Sequence, residues 1–327
     1  MKLLSKIKRR NLNSLLHLKQ GVTKYGPAPH KPVLLLAVID MFETGQLEHN
    51  WIEVSGELVI RFQDWWKLLV STNHSPTFAL PFYHLSNEPN ELWKLVLLPG
   101  KEMPLTRSHS IKSFKALNET VAAARLSPSF YKALVNPVER EKIKQAILEK
   151  YFPDKVEELL EPVERYSAMV EKQIMWDPSE NYVRKVHRII EPMSNEEKEQ
   201  ELMVRSTLFK KAIRSVYDHR CAMSGMQIQF RKNVSMVDAC HIIPFAETFN
   251  DTIRNGIALT PTLHRAFDRG LVAISDDYTV LVHKEVHECS SNYTLQQFAS
   301  QPLLLPCDEQ FYPDLNLLRE HRQRFGF

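Results

Sequence analysis

Three polar residues stand in order in the last third of the chain. They are His241 in DACHIIPF, Asn255 in RNG and His264 in TPTLHRAFDRG, spaced by 14 and then 9 positions. Hydrolysis of a phosphodiester needs an activated water, a group that neutralises charge on the phosphate, and help for the departing oxygen. A neutral imidazole suits the first task, because its ordinary pKa lies near neutrality. A divalent cation suits the other two. His264 can supply that cation with nitrogen, and Asp238 with the hard oxygen that magnesium or manganese prefers. Asp268, four residues after His264, shares its face if the segment is helical. Asn255 can donate to and accept from loop backbone, holding His241 at a fixed angle. Taken singly, a strand histidine reads as core, Asn-Gly as a turn, and Asp before Arg-Gly as a helix end. The ordered set outweighs those separate readings.

The elements that must position these residues follow from local pattern. DACH and GIALT read as strands and Pro261 as a helix start, which makes a ββα unit. Upstream, PVLLLAVIDMFETG reads as a buried helix from Pro32 to Gly45. SGELVIRFQDWWKLLV reads as a second helix, capped by Ser55, with Leu58, Phe62, Trp65 and Leu69 at helical spacing. PTFALPFYHL is a loop and a short apolar segment, and ELWKLVLL a strand. Residues 110–165 read as helical, most strongly PVEREKIKQAILEKYF. Residues 166–205 are rich in charge and are expected to form a partly helical linker. The expected fold class is α+β: a mainly helical recognition domain over 1–165, then a ββα-metal domain over 206–327.

Composition narrows the class. The 327 residues are 43% hydrophobic and 25% charged, as in an ordinary soluble globular protein. No apolar run is long enough to span a membrane, and MKLLSKIKRR lacks the apolar stretch of a secretory signal. The four cysteines are far apart and form no Cys-x-x-Cys pair, which argues against a disulfide scaffold or a structural zinc site and fits a reducing cytoplasm. Net charge is +3, yet residues 1–165 hold 23 Lys/Arg against 18 Asp/Glu, and the first 31 residues hold eight Lys/Arg and no acid. Such an arm attracts phosphate backbones, although a charge run alone more often reads as a solvated tail. The closing run LNLLREHRQRFGF is also basic, and reads equally as a backbone contact or a solvated amphipathic helix.

The motifs DACHIIPF, RNGIALTPTLHRAFDRG and the upstream CAMSG resemble the HNH endonuclease family over about 205–290. The resemblance implies a ββα-metal fold and metal-dependent nucleic-acid cleavage, with His241 as general base, Asn255 as the loop-positioning residue and His264 as a metal ligand. Many members carry a metal-binding Asp or His immediately before the base. Here that neighbour is Cys240, a poor match for magnesium, and Asp238 is the preferred oxygen ligand.

APHKPVLLLAVIDMFETGQL, SPTFALPFYHL and ELWKLV resemble, over about 25–165, the sulfur-recognising domain of McrA-like type IV restriction enzymes. That resemblance implies binding to double-stranded DNA with a phosphorothioate backbone. Sulfur makes one phosphate edge larger, softer and less hydrated, so a shallow apolar pocket rimmed by cations prefers it. Pro81, with Ala79, Leu80 and Phe82, is expected to line the pocket, and His30 and Lys31 to hold neighbouring phosphate charge. Lys31 stands where arginine is familiar and Leu80 where tyrosine is familiar. The expected function is therefore a modification-dependent endonuclease, acting as a homodimer so that each strand meets one site. The alternative is a defence nuclease triggered by another DNA mark or a partner protein. A third reading is a DNA-binding module that has lost catalysis.

Overall fold

The computed structural model describes residues 13–102, 111, 113–160, 164–230, 234–289, 291 and 293–327. The first 12 residues of the basic arm lie outside that set. The chain divides into two compact units, 1–168 with 193–204, and 169–192 with 205–327. Among the described residues no helix is long and apolar enough to cross a membrane.

The first unit is built on helix α1 (His30–Glu43), in which every residue from Lys31 to Phe42 is buried. A helix buried on every side belongs at the centre of a domain, and its two buried charges, Lys31 and Asp40, are paired with Glu88 and Arg165. Helix α2 (Gly56–Leu69) packs against it. The Ser55 hydroxyl accepts from the Leu58 amide at 3.3 Å, so the cap expected from sequence is made. Leu58, Phe62, Trp65 and Leu69 are all buried. The short apolar segment is a two-turn helix, α3 (Ala79–His84).

A three-stranded antiparallel sheet completes this unit, in the order β1 (Trp51–Glu53), β3 (Val121–Leu126), β2 (Trp93–Leu97). Its central strand, VAAARL, falls inside the run expected to be helical. Alanine favours helices, but strand residues are decided by pairing and packing. Here Ala123 and Ala124 are fully buried and paired to strands on both sides. PVEREKIKQAILEKYF does form the expected helix, α4 (Pro137–Tyr151).

Residues 166–205 lie in three helices, Tyr166–Trp176, Ser179–Ile190 and α5 (Asn195–Val216). Val170, Ile174, Tyr182, Val186 and Arg205 are all fully buried, so this segment is packed structure rather than a spacer. In the second unit a β-hairpin, β4 (Asp238–His241) with β5 (Gly256–Leu259), leads into helix α6 (Pro261–Asp268). A second hairpin (Val272–Ile274 with Val280–Val282) and a closing helix, α7 (Leu315–Phe325), follow.

Candidate active site and DNA-recognition pocket

β4, β5 and α6 place the three ordered residues in one small unit. His241 ends β4 and pairs in register with Gly256. Its ring lies flat on Phe209 of α5, with centroids 4.1 Å apart and planes 9° apart. Its Nε2–H donates to Asp251 Oδ1 at 2.8 Å. Asp251 is 1% exposed and has no partner on Oδ2 among the described residues. This buried carboxylate fixes the imidazole tautomer and stabilises the ring when it gains a proton. With Nε2 committed to Asp251, Nδ1 is the nitrogen left to receive that proton.

Asn255 is fully buried and joins three backbone groups. Its Oδ1 accepts from the Ile243 amide at 3.0 Å, and its Nδ2 donates to the Ile243 carbonyl at 3.0 Å and the Asn250 carbonyl at 2.8 Å. The side chain thus ties the strand end just past His241 to the loop that carries Asp251. Gly256 follows for a reason other than turn conformation. A Cβ built there would lie 2.2 Å from Ile213 Cδ1 and 2.8 Å from the Phe209 ring, so only glycine lets β5 meet α5 this closely.

His264, on α6, sits between two carboxylates. Its Nδ1 is 3.5 Å from Asp238 Oδ2, and its Nε2 is 3.3 Å from Asp268 Oδ2. Cys240, His264 and Asp268 bring one ligand atom each to within 4.8 Å of one another. His241, His264 and Asp268 line a common cleft with His321 and Arg324 from α7.

The first unit holds a second cleft, lined by His30, Lys31, Leu80 and Pro81 together with Gly21, Ala28 and their neighbours. Its electrostatics differ from the sequence expectation. The Lys31 ammonium pairs with the buried Glu88 carboxylate, which also accepts from the Lys19 amide at 3.1 Å. His30 packs on Trp66 and donates from Nε2 to the Ser75 carbonyl at 2.8 Å. Burial lowers its pKa to about 4, so it is neutral near pH 7. Neither residue offers a free cation. Ala79 and Phe82 are fully buried and stay out of the cleft, with Phe82 edge-on to Trp93 at 5.0 Å. A mostly apolar cleft, with the exposed Lys19 as a cation at its rim, suits a soft, poorly hydrated edge better than a fully hydrated oxyanion. Replacing Lys31 with methionine should lower stability by about 3 kcal/mol, because Glu88 is left buried and charged. Adding Glu88→Gln should recover most of that loss, as read by thermal unfolding.

The profile of the HNH endonuclease family matches residues 221–275. A profile described as "ScoMcrA-like, DNA sulfur-binding domain" matches residues 8–165. The chain joins an HNH endonuclease domain to a DNA sulfur-binding domain. Among solved structures, a "Modification dependent TagI restriction endonuclease" is 23% identical over 38% of this chain and 39% of that one, with a TM-score of 0.29. The likeness therefore spans well under half of that neighbour. No curated protein matches.

HNH endonucleases work with a divalent metal, and the residues of this HNH domain fit one. Asp268 would supply a hard oxygen beside His264 Nε2, whereas Asp238 faces Nδ1 on the other side of the ring and lies outside the group of ligand atoms that falls together. Cys240 is fully buried, and burial together with the neighbouring Asp268 and Asp238 pushes its thiol pKa well up. The thiol donates to Asp268 Oδ1 at 3.6 Å, which orients that carboxylate. Cys221, in the CAMSG turn, is also buried and receives the amides of Ser224 and Thr260 at 3.5 and 3.4 Å. It is a structural residue of the HNH domain.

The residue that sequence reasoning missed is Asp251. In FNDTIRNG it looks like ordinary turn chemistry, and the neighbouring Asn250 side chain does make such a turn with the Thr252 amide at 3.0 Å. Only the fold brings Asp251 under His241.

Proposed function

We propose that this chain is a metal-dependent endodeoxyribonuclease that reads a phosphorothioate in double-stranded DNA through its sulfur-binding domain and cuts through its HNH site. The observation that carries the reading is one imidazole, His241, held between Phe209 and Asp251 in the cleft that also holds His264 and Asp268. His241 takes the proton of the attacking water on Nδ1, and Asp251 stabilises the resulting imidazolium. Asn255 keeps strand end and loop in register during that transfer. His264 and Asp268 would hold the cation, with Asp238 reaching it by turning toward the same side of the imidazole, and magnesium or manganese suits such oxygens. When bound, the cation neutralises charge on the phosphate and assists the departing oxygen. His30 and Lys31 shape the recognition cleft, while Leu80 and Pro81 present its apolar wall. Cutting both strands calls for two such sites, which a homodimer provides.

The test uses two matched plasmids, one phosphorothioated and one not, with magnesium or manganese. Selective cutting of the modified plasmid is expected. Equal cutting of both overturns the recognition half of the proposal. Cutting of neither moves the reading to a nuclease that another DNA mark or a partner protein triggers. Binding without cutting points to a catalytically silent module.

A further inference from the structure

The three arginines of α7 have different surroundings. Arg319 and Arg322 both pair with Asp276, Arg319 from Nη2 at 2.9 Å and Arg322 from Nη2 at 2.5 Å. Arg324 instead reaches the cleft of His241, His264 and Asp268. Two anchors hold it there. The His321 ring lies flat on Phe267, with centroids 3.8 Å apart, and donates to the Phe267 carbonyl at 3.0 Å. Phe325 closes over the turn after α6, where a Cβ on Gly270 would lie 2.2 Å from its ring. The last turn of α7 is therefore fixed against the helix that carries His264 and Asp268.

Both Nη atoms of Arg324 engage the two oxygens of Glu247, on the short helix Phe245–Thr248 just past His241. The two side chains are 34% and 49% exposed. An ion pair this open contributes little, so a second anion displaces it easily. A phosphodiester offers the same two-oxygen edge to the guanidinium fork.

We propose that Arg324 binds a phosphate of the DNA strand entering the HNH cleft, with Glu247 occupying the guanidinium until that phosphate replaces it. The proposal rests on the nuclease reading and extends it to a helix outside the matched family region.

The test compares the full chain with Arg324→Ala, Arg324→Lys and, as a control, Arg319→Ala. Binding to an unmodified duplex is first measured across a salt series with a chelator present. Losing one phosphate contact should flatten the slope of log affinity against log salt by about 0.9 for Arg324→Ala, and Arg319→Ala should leave it unchanged. Cleavage with manganese should then fall about 100-fold for Arg324→Ala. Arg324→Lys keeps the charge but loses the fork, and should fall about tenfold. A wild-type salt slope, or cleavage within twofold of wild type, overturns the proposal. If the slope flattens but the wild-type chain cuts no DNA, the nuclease reading fails while the phosphate contact stands. Should Arg324→Ala unfold, Arg324→Gln faces the same two criteria.

Discussion

His241→Ala should bind modified DNA within about twofold of wild type and cleave it about 1,000-fold more slowly or worse, the loss expected for a positioned general base. Single-turnover cleavage and a binding titration measure the two halves. The variant also has a structural cost, because Asp251 is 1% exposed and would lose its partner. Thermal stability should therefore fall along with cleavage. Adding Asp251→Asn should recover the stability and not the cleavage. That separation shows that the imidazole, and not the integrity of the loop, carries the rate. Near-normal cleavage by His241→Ala would remove His241 from the mechanism.

Asn255→Asp changes one group and almost no volume. The Oδ1 contact to the Ile243 amide survives, but the donor that meets the Ile243 and Asn250 carbonyls becomes an oxygen. Two carbonyls lose their partner and a carboxylate is placed in a fully buried site. The expected loss is about 4 kcal/mol of stability, and cleavage should fall with it because strand and loop are no longer tied. Urea unfolding reads the first effect and single-turnover cleavage the second. Stability within about 1 kcal/mol of wild type would mean that the loop is held by something other than this amide.

Much of the site can be read from local order alone. His241, Asn255 and His264 lie within one continuous stretch, so their spacing already implies strand, turn, strand and helix, and that is how they fold. Ser55 caps its helix because a cap depends on only three following residues. What stayed hidden depends on partners distant in sequence. Glu88 neutralises Lys31 from 57 positions away, and nothing near HKPVLLL announces it. VAAARL reads as helix until Trp51–Glu53 and Trp93–Leu97 pair on either side. Ala79 and Phe82 flank Leu80 and Pro81 in one apolar word, and only packing against Trp93 and its neighbours decides which of them line the cleft. Arg324 is one of three arginines in a closing helix, and which one meets the cleft is decided by Asp276 and Glu247.

The glycine after Asn255 carries a final consequence. Its freedom to change is set by Phe209 and Ile213, two side chains that no pattern drawn around the loop would include. A larger residue at 256 calls for smaller ones at 209 and 213. Shrinking 209 strips away the surface on which the His241 ring rests. These positions can therefore drift only as a set, policed by the ring of His241, and under the proposed mechanism a substitution at 256 would register as lost cutting.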